Sequence, residues 1–200
     1  MDTTYPANDA VTEQPEQFLR NLRVGSRIWA ASLAFFFIAF LFAFFYLRAL
    51  NSNGLWRGWP HTHKPHPSLA FGVVILICVL ASAAITWGAT MLAPAMWRLA
   101  ILASAGFALA AVGLQAAQFS SLGFGPTDGG YASVFVGWTG LLTLILFGTV
   151  YWLVILAGDL RRRGEVVPGF RAAAVDAVSF VLGVLALVEL AAFILLYIVA

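Results

Sequence analysis

The sequence predicts an all-α integral membrane protein, a bundle of five transmembrane helices with a cytoplasmic N-terminus and an exterior C-terminus. Hydrophobic residues make up 62% of the 200 residues and charged residues only 10%, against roughly half and about a quarter in soluble domains. Five runs supply the ~20 consecutive apolar residues that a bilayer requires. Basic residues, which favour the cytoplasmic side of a membrane, fall unequally between the two ends of these runs.

The N-terminus is polar and precedes the first apolar run. Residues 1–22 are predicted to form a tail, because they hold several acids and two prolines and too little apolar surface to order alone. We expect a flexible tail or a strap docked on a partner. The membrane domain is predicted to cover residues 23–200.

The five predicted spans share hydrocarbon length and flanking polar or helix-breaking residues. They cover residues 28–47, 69–93, 99–119, 131–157 and 172–199. Pro94 closes the second span, and the short connection to Arg98 predicts an antiparallel hairpin with the third. The third span is rich in small residues, which allow membrane helices to pack closely, so we expect it to be central.

Orientation follows from the basic residues, which concentrate in cytoplasmic loops. Eight of the eleven lie at one end of the predicted spans. These are Arg20, Arg23, Arg27, Arg98, Arg161, Arg162, Arg163 and Arg171. The opposite end has Arg48, Arg57 and Lys64, so the N-terminus is expected inside.

Two carboxylates lie within the fifth span. Glu189 is deep in it, where an ionised acid costs several kcal/mol, so it is expected to handle protons, to contact a partner subunit, or to hydrogen-bond a neighbouring helix as a neutral acid. Asp176 is in the first turns, where the helix dipole or a salt bridge to Arg171 would stabilise it. Thirteen residues separate the acids, about 140° around a helix, so they are not expected to pair.

Polar and aromatic side chains mark the exterior ends of the spans. Gln115 and Gln118 lie three residues apart and can face one neighbour. They are expected to form hydrogen bonds between helices, with binding of a lipid headgroup as the alternative. Trp56 and Trp59 are expected in an interfacial aromatic belt.

The histidines of the long exterior loop raise the question of a metal. His61, His63 and His66 could bind copper or zinc, but interleaved prolines and Lys64 favour an exposed, solvated loop. Cys78 is the single cysteine and lies in an apolar run, so an internal disulfide is excluded. The pattern contains no set of residues typical of local catalysis.

The stretch from the third span into the fourth carries a recognisable motif. It reads Gly113-Leu-Gln-Ala-Ala-Gln-Phe119, then Gly123-Phe-Gly125, Asp128, Gly130-Tyr-Ala-Ser-Val-Phe135 and Thr139-Gly140. This resembles subunit III of the haem-copper terminal oxidases, in which a Gln-x-x-Glu-aromatic helix end precedes a loop with glycine and aspartate and a Tyr-Gly-Ser-x-Phe segment. Gln118 stands in place of the family's glutamate, and the chain is similar to the five-span bacterial form.

The resemblance implies a non-catalytic subunit of a respiratory oxidase in the bacterial inner membrane. Such a subunit stabilises the catalytic subunit I and supports proton uptake, for which Glu189 and Asp176 are candidates. It binds no metal itself, while haem and copper belong to partner subunits. Phospholipid is the expected ligand, with Gln115, Gln118 and Trp59 as possible contacts, and no nucleic acid partner is expected.

Two other interpretations remain open from the sequence. One is an accessory or assembly protein of a related complex, such as a nitric oxide reductase. The other is a transporter acting alone, against which the lack of an internal repeat argues.

Overall fold

The structure, a computed structural model, describes residues 15–51, Trp56, 66–162 and 169–200. Five helices account for most of them: α1 (Pro15–Leu50), α2 (Leu69–Ala89), α3 (Trp97–Ser121), α4 (Gly130–Arg162) and α5 (Phe170–Phe193). A π-helical segment, Ile194–Val199, continues α5. All five are long and apolar enough to cross a membrane. The predicted bundle of five transmembrane helices is therefore confirmed, while the side on which each terminus lies stays a prediction.

Helix α1 begins within the predicted polar tail. Residues 1–14 lie outside the described part, but residues 15–22 are helical. Proline is well suited to the first turn of a helix, where its missing N–H is not needed. Phe18 stacks on Phe170 at 6.2 Å between ring centroids, and Leu19 and Leu22 pack on the core. Tertiary packing on α5 thus extends the helix beyond its apolar run.

Helix α5 occupies the centre of the bundle. It packs against α1, α2 and α4, and half of its most apolar window is buried, compared with 39% for α3. The expectation that α3 would be central is wrong. Its small residues divide between two faces: Ser104, Ala108 and Ala111 are buried, whereas five others are exposed, namely Ala103, Gly106, Ala110, Gly113 and Ala117.

The alternating helix directions give the bundle two distinct ends. The arginine end holds the first turns of α1, α3 and α5 and the last turns of α2 and α4, and with them most of the arginines. The opposite end, which we call the tyrosine end, holds Gln118, Tyr131 and Tyr197.

Helices α2 and α3 form the predicted hairpin, closed by a short 3₁₀ turn, Pro94–Met96. Helix α2 ends at Ala89, four residues before the predicted boundary. There the backbone N–H groups of Thr90 and Met91 bond the carbonyls three residues earlier, which tightens the last turn.

The α2–α3 interface contains a fully buried serine pair. The hydroxyls of Ser82 and Ser104 lie 2.7 Å apart, and that of Ser104 also lies 2.9 Å from the carbonyl oxygen of Ser82. Both residues have no exposed surface. Such small polar residues bring helices close and supply hydrogen bonds that lipid cannot.

Replacing this serine tests the hairpin. We expect Ser104→Leu to destabilise the protein by about 1–3 kcal/mol, because a large side chain must enter a filled interface and the hydrogen bonds are lost. Ala103→Leu is the matched control, since Ala103 is the neighbouring residue and faces outward. Thermal unfolding in mild detergent measures both. Equal stability of the two variants would contradict this interface.

Candidate functional site

Polar side chains from α3 and α5 meet at the tyrosine end. The hydroxyl of Tyr197 lies 2.9 Å from Nε2 of Gln118 and 3.1 Å from its Oε1. Gln115 Nε2 donates to Gln118 Oε1 over 3.1 Å, and Gln118 Nε2 reaches the carbonyl oxygen of Ser68 at 3.4 Å. Gln118 thus makes the contact between helices that its position predicts, whereas Gln115 bonds only Gln118 among the described residues.

Tyr131 joins α4 to the same end of α5. Its hydroxyl donates to the carbonyl oxygen of Leu196 over 2.7 Å. That carbonyl lies in the π-helical segment, and such segments frequently occur at functional sites. We call Gln115, Gln118, Tyr131 and Tyr197 the tyrosine–glutamine cluster.

Trp56 packs beside this cluster, within the protein. It is only 8% exposed and makes edge-to-face contacts with Phe44 at 5.2 Å and Tyr131 at 5.9 Å. Its predicted place in an interfacial belt is therefore wrong. The aromatic residues of α1 and α4 offer more apolar contact than the membrane interface does.

The turn between α3 and α4 is held by its own side chains. Asp128 accepts a hydrogen bond from the Gly125 N–H over 2.6 Å, and Ser133 Oγ donates to the carbonyl of Pro126 over 2.5 Å. Gly123 has φ of +51°, a left-handed conformation that glycine adopts without steric cost. The motif residues of the sequence therefore form one ordered connection.

The absence of a side chain at Gly72 of α2 makes room for the ring of Tyr197. A Cβ atom at Gly72 would lie 2.7 Å from the Cε1 and Cζ atoms of Tyr197, closer than real contacts allow. Beside the ring is a cavity of about 120 Å³ lined by His66, Leu69, Tyr131 and Tyr197, among others. The cluster therefore borders a space large enough for several water molecules.

Glu189 lies inside the bundle, deeper than the cluster. It is 8% exposed and shares its helix face with the buried residues Leu182, Leu185 and Leu196. None of the described residues hydrogen-bonds its carboxyl group. Glu189 is eight residues before Tyr197, roughly 12 Å along the helix axis. Glu189 is thus a buried acid whose carboxyl group has no hydrogen-bond partner among the described residues.

Asp176 lies at the arginine end and pairs with α1. Its Oδ2 is 3.4 Å from Nη2 of Arg27 and 4.0 Å from Nε of Arg23. The predicted salt bridge to Arg171 is wrong, because five residues turn a helix by about 500° and place Arg171 on another face. The Nε of Arg171 is buried without a hydrogen-bond partner in the described structure.

Other predicted site residues are only partly described. His61, His63 and Trp59 lie outside the described residues. His66 is exposed and borders the cavity, and within the described part no three His, Cys, Asp or Glu side chains gather as metal ligands. Cys78 is half-buried in α2 and packs on the core.

Tyr131, Tyr197 and Gly72 were not predicted from the sequence as members of the site. Tyr131 is part of the motif that carries the family resemblance, and Tyr197 lies near the end of the fifth predicted span. Both tyrosines could have been recognised because they lie near the ends of spans. A tyrosine hydroxyl in such a place can hydrogen-bond to a neighbouring helix. Gly72 in a run of large apolar residues indicated a close approach.

The chain matches no model of a known protein family, and no curated protein matches its sequence.

Substitution of Gly72 tests the geometry of the cluster. We expect Gly72→Ala to displace the Tyr197 ring, to break its hydrogen bond with Gln118, and to lower stability by about 0.5–1.5 kcal/mol or more, the worth of a typical hydrogen bond. Gly106→Ala is the control and should not lower stability. A Cβ atom at this position meets no atom within 4 Å, and alanine favours a helix more than glycine does.

Tyr197→Phe provides the comparison for this test in thermal unfolding. It removes the hydroxyl but keeps the ring, so the Gly72→Ala and Tyr197→Phe effects should not add in the double variant. Additive losses would contradict the assigned role of Gly72.

Proposed function

We propose that the chain is a non-catalytic, subunit III-like component of a respiratory haem-copper oxidase in the bacterial inner membrane. It packs beside the catalytic subunit I and stabilises it. Haem and copper belong to the partner subunits, and phospholipid lies between helices. The activity of the complex then depends on this chain through packing and proton supply.

The observation that carries this proposal is the role of the resembling residues in the fold. Gln118 bonds Tyr197, Tyr131 bonds the Leu196 carbonyl, and Asp128 with Ser133 closes the connecting turn. The motif therefore joins α3, α4 and α5 at one end of the bundle. A motif that serves packing supports a structural subunit rather than a catalytic one.

The outward face of α3 supports a helix partner. Gly106 and Gly113 lie on a stripe of exposed small residues, and a Cβ at either would meet nothing within 4 Å. Membrane helices associate where small residues let backbones approach. We assign this face to a transmembrane helix of the catalytic subunit.

The two acids of α5 favour different roles. Asp176 is about half exposed in its pair with Arg27 and lies at the arginine end, the predicted cytoplasmic side, where it can attract protons for the partner. Glu189 is buried within this chain and is placed for an internal role.

Co-purification is the direct test. The full chain with an affinity tag, extracted from its native membrane in mild detergent, should bring down a haem-containing subunit with the visible spectrum of a terminal oxidase. Haem with nitric oxide reductase activity and no oxidase activity would favour the accessory protein. Absence of any haem subunit, together with substrate flux in liposomes containing this chain alone, would favour a transporter.

A glycine variant locates the interface in the same experiment. Gly106→Leu with Gly113→Leu should reduce the recovered haem by about tenfold, because bulky side chains separate helices that pack through glycine. Gly25→Leu is the control, since Gly25 is exposed and equally open but lies on α1. Equal haem recovery from both would place the partner on another face.

A further inference from the structure

The central helix α5 leaves one of its faces open near the arginine end. Four residues recur there every three or four positions and therefore lie in one stripe along the helix. They are Asp176, Phe180, Gly183 and Leu187. All four are exposed or half-buried, whereas the adjacent Val181 is fully buried. Helices α1 and α2 both pack on α5 but make little contact with each other among the described residues.

This stripe is the floor of a groove with a side chain on either side. From α1, the Arg27 guanidinium lies 5.5 Å from the centre of the Phe180 ring and 3.4 Å from Asp176. From α2, Trp87 lines the same space, which has a volume of about 330 Å³. A Cβ atom at Gly183 would meet nothing within 4 Å. The groove is thus unobstructed where Gly183 forms its floor.

The length of the groove matches one leaflet of a bilayer. Tryptophan prefers the membrane–water interface, and Trp87, which is 68% exposed and two residues from the end of α2, indicates that level. From Asp176 to Leu187 the helix rises by about 16 Å. One leaflet contributes roughly 15 Å of a hydrocarbon core of about 30 Å. The groove therefore suits one acyl chain with its headgroup at the level of Asp176.

The outer end of the groove carries both signs of charge. Arg27 and Arg23 contact the same oxygen of Asp176, Oδ2, at 3.4 and 4.0 Å. The other oxygen, Oδ1, makes no hydrogen bond or ion pair with the described residues. Both arginine side chains are half exposed, and two guanidinium groups outweigh one carboxylate. This end thus offers an acceptor for an ammonium group beside donors for a phosphate group.

We propose that the groove binds one ethanolamine glycerophospholipid from the leaflet at the arginine end. The lipid ammonium group donates to Oδ1 of Asp176, the phosphate accepts from Arg27 and Arg23, and an acyl chain lies over Gly183. A choline headgroup has no N–H to donate, and a glycerol headgroup has no cation, so neither makes the same contacts. This chain alone forms the groove, so the site does not depend on the identity of a partner subunit.

Native mass spectrometry of the purified full chain in mild detergent tests the headgroup. The chain is mixed with equal amounts of phosphatidylethanolamine, phosphatidylcholine and phosphatidylglycerol that have identical acyl chains. The complex with one lipid should contain the ethanolamine lipid about tenfold more often than either of the others, because only this lipid makes both charge-assisted contacts. Equal binding of all three lipids, or a preference for phosphatidylglycerol, would overturn the proposal. A lipid-free dimer would assign the groove to a second copy and would also overturn it.

A carboxylate variant locates the ammonium contact. Asp176→Asn should reduce the preference for the ethanolamine lipid over the choline lipid to about twofold or less, because a neutral amide is a weaker acceptor for an ammonium group. Asp159→Asn is the control, since Asp159 lies near the arginine end of α4 and does not line the groove. An unchanged preference in folded Asp176→Asn would contradict the assignment.

A glycine variant locates the acyl chain and serves if Asp176→Asn does not fold. Gly183→Leu should reduce the bound ethanolamine lipid by about tenfold, because the new side chain fills the floor of the groove. Gly148→Leu is the control, since Gly148 is exposed and equally open but lies on α4. Undiminished binding in folded Gly183→Leu would overturn the site. Because the chain is measured without a partner, these outcomes are independent of whether haem co-purifies.

Discussion

The hydrogen bond between Gln118 and Tyr197 is the contact on which the tyrosine end of the bundle depends. Hydrocarbon offers no partner to a polar group, so amides and hydroxyls within a span must bond each other. This bond joins α3 to the central helix, and the bond from Tyr131 to the Leu196 carbonyl joins α4 to it. Together they tie the π-helical end of α5 to both α3 and α4.

Much of the fold could be predicted from the sequence, because a bilayer imposes a single length on every span. Uninterrupted apolar runs therefore located all five helices. Their arrangement could not be predicted in the same way. Small residues on α3 suggested a central helix, but close packing can serve a neighbour outside the chain as well as one inside it. The residues that make α5 central, such as Leu182 and Leu185, do not differ in type from residues that face lipid.

Site residues could be predicted where the residue type alone reveals a role. They could not be predicted where the role depends on which helices pack together. Glu189 stood out because an acid within a span is costly anywhere in a membrane. The partner of Asp176 depends on which helix packs against it, so Arg27 could not be identified from spacing along α5. Gly72 likewise acquires its role only when α2 and α5 meet. His61 and His63 lie in residues 57–65, outside the described part of the chain. The hypothesis that they bind a metal therefore stays a sequence prediction.

The most direct measurement of the central contact is a solid-state NMR distance between Gln118 and Tyr197 in lipid bilayers. With ¹⁵N in glutamine side chains and ¹³C at Cζ of tyrosine, the Nε2 atom of Gln118 should show strong dipolar coupling to Tyr197, as a separation of 2.9 Å between Nε2 and the hydroxyl oxygen requires. The coupling should disappear in Gln118→Leu. A folded wild-type protein with no such coupling would contradict the account, because α3 and α5 would then not be joined at this end.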